Sequence, residues 1–199
     1  CTRYVGTMGN AQDLGRRLTV ETLKMGLTGE TEVVAIGDGA HWIWNEIEVN
    51  FPENRVEIID FYHASEKLWE VSRAIFGEEN PQGKIWAERW RHKLHNSDAS
   101  GAISAMRRLR PKSKEARETV RKAIHYYQSN RNRMRYRKFR DWGYFIGSGV
   151  VEGGCKNLIG ARFKHGGMKW TKSGLQSMLQ LRLAVFNQRW DYLWAKRAS

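Results

Sequence analysis

Three acidic residues stand where a hard divalent cation would find its ligands: Asp38, Asp60 and Glu152. Asp38 sits inside Gly37-Asp38-Gly39, directly after the apolar run Val33–Ile36, and Asp60 directly follows the run Val56–Ile59. Glu152 lies in the small-residue stretch GSGVVEGG. Mg²⁺ prefers carboxylate oxygens and keeps several of its waters. Two such ions about 3.5–4 Å apart activate the attacking oxygen and stabilise the leaving one in phosphodiester chemistry. Read singly, Asp38 and Asp60 are also what a turn or a helix N-cap asks for. His63, three residues after Asp60, then only caps or bridges, and Glu152 is an ordinary exposed helix residue. The chemistry depends on the three being placed together.

Strand ends beside helix starts are the rigid elements that can place them. Val33–Ile36 is short, apolar and β-branched, as expected of a strand buried on both faces. The flanking glycines allow a sharp turn at Asp38. A helix is expected next, with Trp42, Ile43, Glu46, Ile47 and Phe51 roughly on one face, then a break at Pro52 to Asn54. Val56–Ile59 predicts a second strand, and a further helix begins near Ala64. A right-handed crossover makes the two strands parallel. Both aspartates then reach the same sheet edge, where open α/β sheets bind their ligands.

Before this unit, Cys1 to Met8 reads as the end of a strand. Leu14, Leu18, Leu23 and Met25 predict a helix from Ala11 to Met25, stopped by Gly26 to Gly29, with Asp13 serving the helix dipole. After it, Ser65 to about Arg140 shows helical spacing only. One helix carries Leu68, Trp69, Val71, Ile75 and Phe76; a second Ile85, Trp86, Trp90, Leu94 and His95. A third carries Ala102, Ile103, Met106 and Leu109, and a fourth Val120, Ile124 and Tyr127. Asn130 to Arg140 is strongly basic with Tyr136 and Phe139 inside it. Val150-Val151-Glu152 opens a helix, and Met168 to Thr171 makes a turn carrying Trp170. A last helix from Thr171 to Trp194 has a core stripe of Leu175, Met178, Leu179, Leu183, Phe186 and Trp190.

The 199 residues suffice for one domain of ordinary core size, or one with a large insertion. The formal net charge of +13 is unevenly spread. Through Asp60 there are five basic against ten acidic residues; after it, 29 against 11. Such asymmetry points to a polyanion, nucleic acid before an anionic membrane surface, and aromatics interleaved with the charge strengthen that choice. The cations singled out are Arg133, Arg135, Arg137 and Lys138, then Lys156, Arg162, Lys164 and Lys169 beside Trp170. No apolar run approaches the ~20 residues of a membrane span. Cys1 and Cys155 form no disulfide framework and suit a reducing cytosol. His41, His92, His95, His125 and His165 show no zinc spacing with cysteine.

Together, GDGAHWIW, then FP, then DFYHASEKLWE, and later GSGVVEGGCKNLIGARFK and GGMKW resemble the DDE transposases of bacterial insertion sequences. These belong to the RNase-H-like group that includes Mutator-type elements. The resemblance spans nearly the whole chain. It implies an α/β RNase-H-like fold with a large helical insertion: a partial core over 1–64, the insertion over 65–142, and core helices carrying the catalytic glutamate over 143–199. It further implies DNA transposition by metal-dependent cleavage and strand transfer, with Mg²⁺ or Mn²⁺. Asp38 matches the second catalytic aspartate and Glu152 the catalytic glutamate, both metal ligands. Asp60 and His63 match an accessory Asp-x-x-His signature near the site. The expected partners are DNA (element ends and target) and further copies of the chain, in the bacterial cytoplasm at the nucleoid. The family's first aspartate has no counterpart among these residues, so the chain is expected to lack the opening strands and to be inactive alone. The rival reading is a non-catalytic nucleic-acid-binding remnant or domesticated fragment.

Overall fold

The computed structural model describes residues 2–164 and 166–195; Cys1 and His165, both named above, lie outside the described residues. The order is α1 (Ala11–Lys24), β1 (Val33–Gly37), α2 (His41–Asn50), β2 (Arg55–Ile59), α3 (Phe61–Phe76), α4 (Pro81–His95), α5 (Ala99–Arg108) and α6 (Lys114–Asn130). A 3₁₀ turn (Arg131–Arg133) leads to α7 (Tyr136–Asp141). Then come α8 (Gly149–Gly154), a π-helical stretch (Cys155–Gly160), α9 (Ala161–Phe163), α10 (Lys172–Phe186) and α11 (Trp190–Ala195). The protein is therefore mostly helical α/β, with β1 and β2 paired as a small parallel sheet.

Capping chemistry explains where most of these helices start. Asn10, Asn80, Asp98, Ser113 and Thr171 each accept a hydrogen bond from a backbone N–H in the first turn of the helix that follows. Each satisfies a donor the helix leaves unpaired, worth about 1 kcal/mol against alanine. Pro81 adds a preset φ at the start of α4.

The chain forms two compact units. One comprises Val34–His41 and Arg55–Ser148, so nearly all of both strands groups with α3 to α7, while α2, between the strands in sequence, belongs to the other unit. Its core lies where α3 packs on α4 and α6, and α5 on α6. Leu68, Val71, Leu94, Met106, Tyr127 and Tyr136 are fully buried there. Burying such a side chain contributes roughly 1.5–3 kcal/mol. The Tyr127 hydroxyl, inside this core, donates to the Ala64 carbonyl at 2.7 Å. Tyr136 and Phe139, inside the basic stretch, are buried. They are apolar anchors of α7, with Tyr136 edge-on to Phe61 at 5.2 Å. Ile85, placed on the apolar side of α4, is exposed, and Ala87 fills the core position with Trp90 and Leu94.

The other unit comprises Cys1–Val33, Trp42–Asn54 and Gly149–Ser199. Leu158, Leu179 and Leu183 make its core, with Tyr4, Ile159, Phe163 and Phe186 packed against them. The described part of the segment expected to end a strand, residues 2–8, joins no sheet. Its backbone pairs with side chains of α10 and of Asn187, the residue just after it. Tyr4 N–H donates to Asn187 Oδ1 at 2.8 Å, Asn187 Nδ2 returns a bond to the Tyr4 carbonyl at 2.9 Å, and Met8 N–H reaches Gln176 Oε1 at 2.9 Å. Glu21 is buried and takes two bonds from Arg189, at 2.6 and 2.8 Å. The Arg189 guanidinium thereby holds the Glu21 carboxyl below its ordinary range, against the opposing effect of burial.

Three sequence expectations are corrected here. The last helix is two helices, because Gln188 takes φ of 57° and ends α10 at a buried Asn187. In α2 the buried face is Trp44 and Ile47, continuing to Phe51, while Trp42 is exposed. The strand β1 is only half-buried, as a two-stranded sheet lacks further strands to enclose it.

Candidate active site at the sheet edge

The two strands bring Asp38 and Asp60 to one edge. Val33 N–H donates to the Asn54 carbonyl at 2.8 Å at the start of the pairing, and Asp60 N–H to the Gly37 carbonyl at 2.7 Å at its end. Parallel register therefore sets Asp60 beside the residue preceding Asp38.

The two aspartates have different surroundings. Asp38 is exposed, and its Oδ1 accepts the Ala40 N–H at 2.9 Å, a local turn that fixes the side chain. Tyr126 from α6 supports the turn: its hydroxyl donates to the Asp38 carbonyl at 2.8 Å. Burial raises the Tyr126 pKa well above the ordinary phenol value, and the charges of Asp38 and Asp60 raise it further. Gly39, at φ of 99°, lets the Tyr126 ring approach; a Cβ there would lie 2.6 Å from Tyr126 Cε2. Gly39→Ala is accordingly expected to destabilise the fold by about 2–3 kcal/mol, from backbone strain and overpacking together. Urea denaturation measures it, and a change below about 0.5 kcal/mol would mean that the turn relaxes without cost.

Asp60 is only 2% exposed and its carboxylate is saturated. Oδ1 accepts the N–H groups of Tyr62 at 2.7 Å and His63 at 3.2 Å, capping α3. Oδ2 accepts the Ser148 N–H at 2.6 Å and the Ser148 hydroxyl. Burial alone would raise its pKa, but the Ser148 and helix N–H donors outweigh it and hold the carboxyl below the ordinary aspartate range. Phe61 N–H bonds the Ile146 carbonyl at 2.8 Å, so 146–148 is strapped onto the start of α3 by main chain and carboxylate together. His63 is half-exposed, with Nδ1 3.9 Å from Glu66.

Glu152 is exposed in the first turn of α8, in the other unit. In that unit Lys156, Lys164 and Lys169 are exposed, and the Arg162 guanidinium lies over the Trp170 ring at 5.3 Å. In the strand-bearing unit Arg135, Arg137 and Lys138 are exposed, Lys138 stacking on Trp142 at 4.3 Å. Arg133 differs from its neighbours: it is partly buried and donates to Glu57 at 2.6 Å, so its charge is spent inside the protein.

As to a metal, Asp38 suits a hard cation by its donor chemistry, being an exposed carboxylate with no ion pair among the described residues; Glu152 offers the same. Asp60 does not suit one, since all its strong acceptor directions are used. Among the described residues no three His, Cys, Asp or Glu side chains cluster so as to hold a metal ion. Ser148 and Tyr126 were not singled out in the sequence. The small residues around Ser148 were the one local signal, and Gly147 there leaves room for the Tyr62 ring.

A family model matches residues 25–196, which include both strands, Asp38, Asp60 and Glu152. The chain belongs to the uncharacterised protein family UPF0236. No curated protein and no solved structure matches it. In this UPF0236 member no helix among the described residues is long and apolar enough to cross a membrane.

Proposed function

We propose that the protein acts on DNA as a metal-dependent phosphodiester-cleaving and strand-transferring enzyme of the DDE transposase type, on an RNase-H-like core. The observation that carries this reading is the pairing of β1 and β2, which end in Asp38 and Asp60 at one sheet edge. The ordered motifs around Asp38, Asp60 and Glu152 and the basic helical region add to it.

In this reading Asp38 and Glu152 would each be a ligand to Mg²⁺ or Mn²⁺, with a third carboxylate required by the chemistry. Two bound ions would supply activation of the attacking oxygen and charge stabilisation at the leaving one. The protein's own residues do the rest. The Asp38 turn, fixed by Ala40 and Tyr126, presents a carboxylate that need not reorganise. Asp60 is a positioning residue, because it acts on the 146–148 strap and on α3. Arg135, Arg137 and Lys138, with Lys156, Arg162, Lys164 and Lys169, neutralise phosphates and set the backbone's path. Self-assembly on paired DNA ends belongs to the same reading.

The test is divalent-metal-dependent nicking of duplex DNA carrying the element's ends by the full-length protein. Loss of nicking in Asp38→Asn, with DNA binding kept, supports the reading. DNA binding without metal-dependent cleavage under any divalent ion favours the non-catalytic alternative.

A further inference from the structure

We propose that the groove between α5 and the carboxyl end of α6 is a phosphate-binding cleft for the backbone of a nucleic acid. The proposal rests on the DNA reading above and names a place where the strand is held. The groove encloses about 390 Å³. Arg107 lines it from α5 together with Ser100 and Ser104, and Arg131 from the end of α6 and the turn after it, together with Ser129 and Asn132. No carboxylate lines it, and neither arginine makes an ion pair among the described residues.

Other cations of the helical region are held by carboxylates beside them. Arg121 and Lys122, on α6 itself, are bound to Glu118, Arg91 to Glu88 and Arg133 to Glu57. Two guanidiniums kept free in one cleft are poised for charge-assisted, forked bonds to phosphate oxygens. The neutral groups suit the same ligand. Arg135 donates to Asn132 Oδ1 at 3.0 Å, which leaves the amide N–H₂ as the free end and as a donor. Ser104 returns its hydroxyl hydrogen to the Ser100 carbonyl at 3.0 Å, while the Ser100 and Ser129 hydroxyls are available. The carboxyl end of α6 brings a dipole equivalent to roughly −0.5 charge, which opposes an anion but is outweighed by two full positive charges. Arg108, Arg110, Lys112 and Lys114 continue the exposed basic surface beyond the groove, along the connection from α5 to α6.

The experiment is fluorescence-anisotropy titration of the full chain with a 30-base-pair duplex across sodium chloride, comparing three double variants. Arg107→Ala with Arg131→Ala is expected to weaken binding about tenfold or more and to flatten the log–log salt slope by ~1–2, at ~0.9 per phosphate contact. Arg121→Ala with Lys122→Ala removes equal charge from α6 and is expected to change affinity less than threefold. Arg107→Lys with Arg131→Lys keeps the charge but not the fork, and is expected to weaken binding several-fold. Equal losses in both alanine pairs, together with full activity of the lysine pair, would overturn the cleft in favour of diffuse charge while leaving the DNA reading intact. Wild-type protein that binds no DNA would overturn both. Protection of the groove's backbone amides from hydrogen exchange by inorganic phosphate, with an unchanged DNA salt slope, would assign it to a free anion and also overturn the proposal. All four arginine and lysine positions in the alanine pairs are exposed, and circular dichroism checks that each variant is folded.

Discussion

Asp60→Ala is expected to lower unfolding stability by roughly 3 kcal/mol at neutral pH: about 1 from the lost cap, and the rest from leaving Ser148 donors unpaired. The side chain is nearly inaccessible and serves four donors in two segments far apart in sequence. Water cannot easily replace it. Asp60→Asn separates the two roles. Its amide oxygen still caps α3, but its N–H₂ meets the Ser148 N–H, so donor faces donor; about 1–2 kcal/mol is expected.

The charge gives a second signature. The folded-state pKa of Asp60 is depressed, so ionisation stabilises the fold at every pH above the unfolded value of about 3.9. That contribution is lost as pH falls from there through the folded pKa. The gap between wild type and Asp60→Ala should therefore be constant from pH 5 to 8 and narrow below about pH 4. Urea denaturation at several pH values measures it. A neutral-pH difference under 1 kcal/mol would show that the strap holds without the carboxylate.

Asp38→Asn is expected to have the opposite profile, a small effect on stability and a large one on activity. The carboxylate is exposed, and asparagine can keep the turn bond to Ala40 N–H through its amide oxygen. Folding should change by less than about 0.5 kcal/mol. Cleavage of element-end DNA by the full-length protein should fall on the order of 10³-fold, about 4 kcal/mol of transition-state stabilisation, because an amide gives a cation neither the charge nor the affinity of a carboxylate. Glu152→Gln should behave alike. Single-turnover cleavage at saturating protein separates this from binding, which should hold within a factor of two to three. Cleavage that survives Asp38→Asn would remove the sheet edge as the active site. Comparable losses of stability in both variants would instead make Asp38 a structural residue like Asp60.

Much of the architecture was legible in local sequence. The strands β1 and β2, the helices α1 to α6 and the breaks at Gly26, Gly77 and Pro111 all follow from apolar period and punctuation. Ser113 announces its helix because capping is a contact between near neighbours. The placement of Asp38 and Asp60 at one edge followed as well, since two adjacent strands joined by a helix pair in parallel. Sequence order alone was enough for that.

Other features depended on residues distant in the chain. Asp38 and Asp60 look alike as sequence, each an aspartate closing an apolar run. They differ because Ser148, 88 residues beyond Asp60, folds back to fill its second oxygen, while among the described residues Asp38 meets its own turn and Tyr126. Basic residues were equally indistinguishable one by one. Arg133 is neutralised by Glu57, 76 positions away, whereas Arg107 and Arg131 are left free in a shared cleft. Tyr136 and Phe139 look like aromatics set among charges, yet the packing of α7 turns them inward. Periodicity reports which face of an element is apolar, and capping reports where it begins. Which carboxylate is satisfied and which cation is free depends on partners brought together only by the tertiary fold, because electrostatic and hydrogen-bond pairing acts through space and not along the chain.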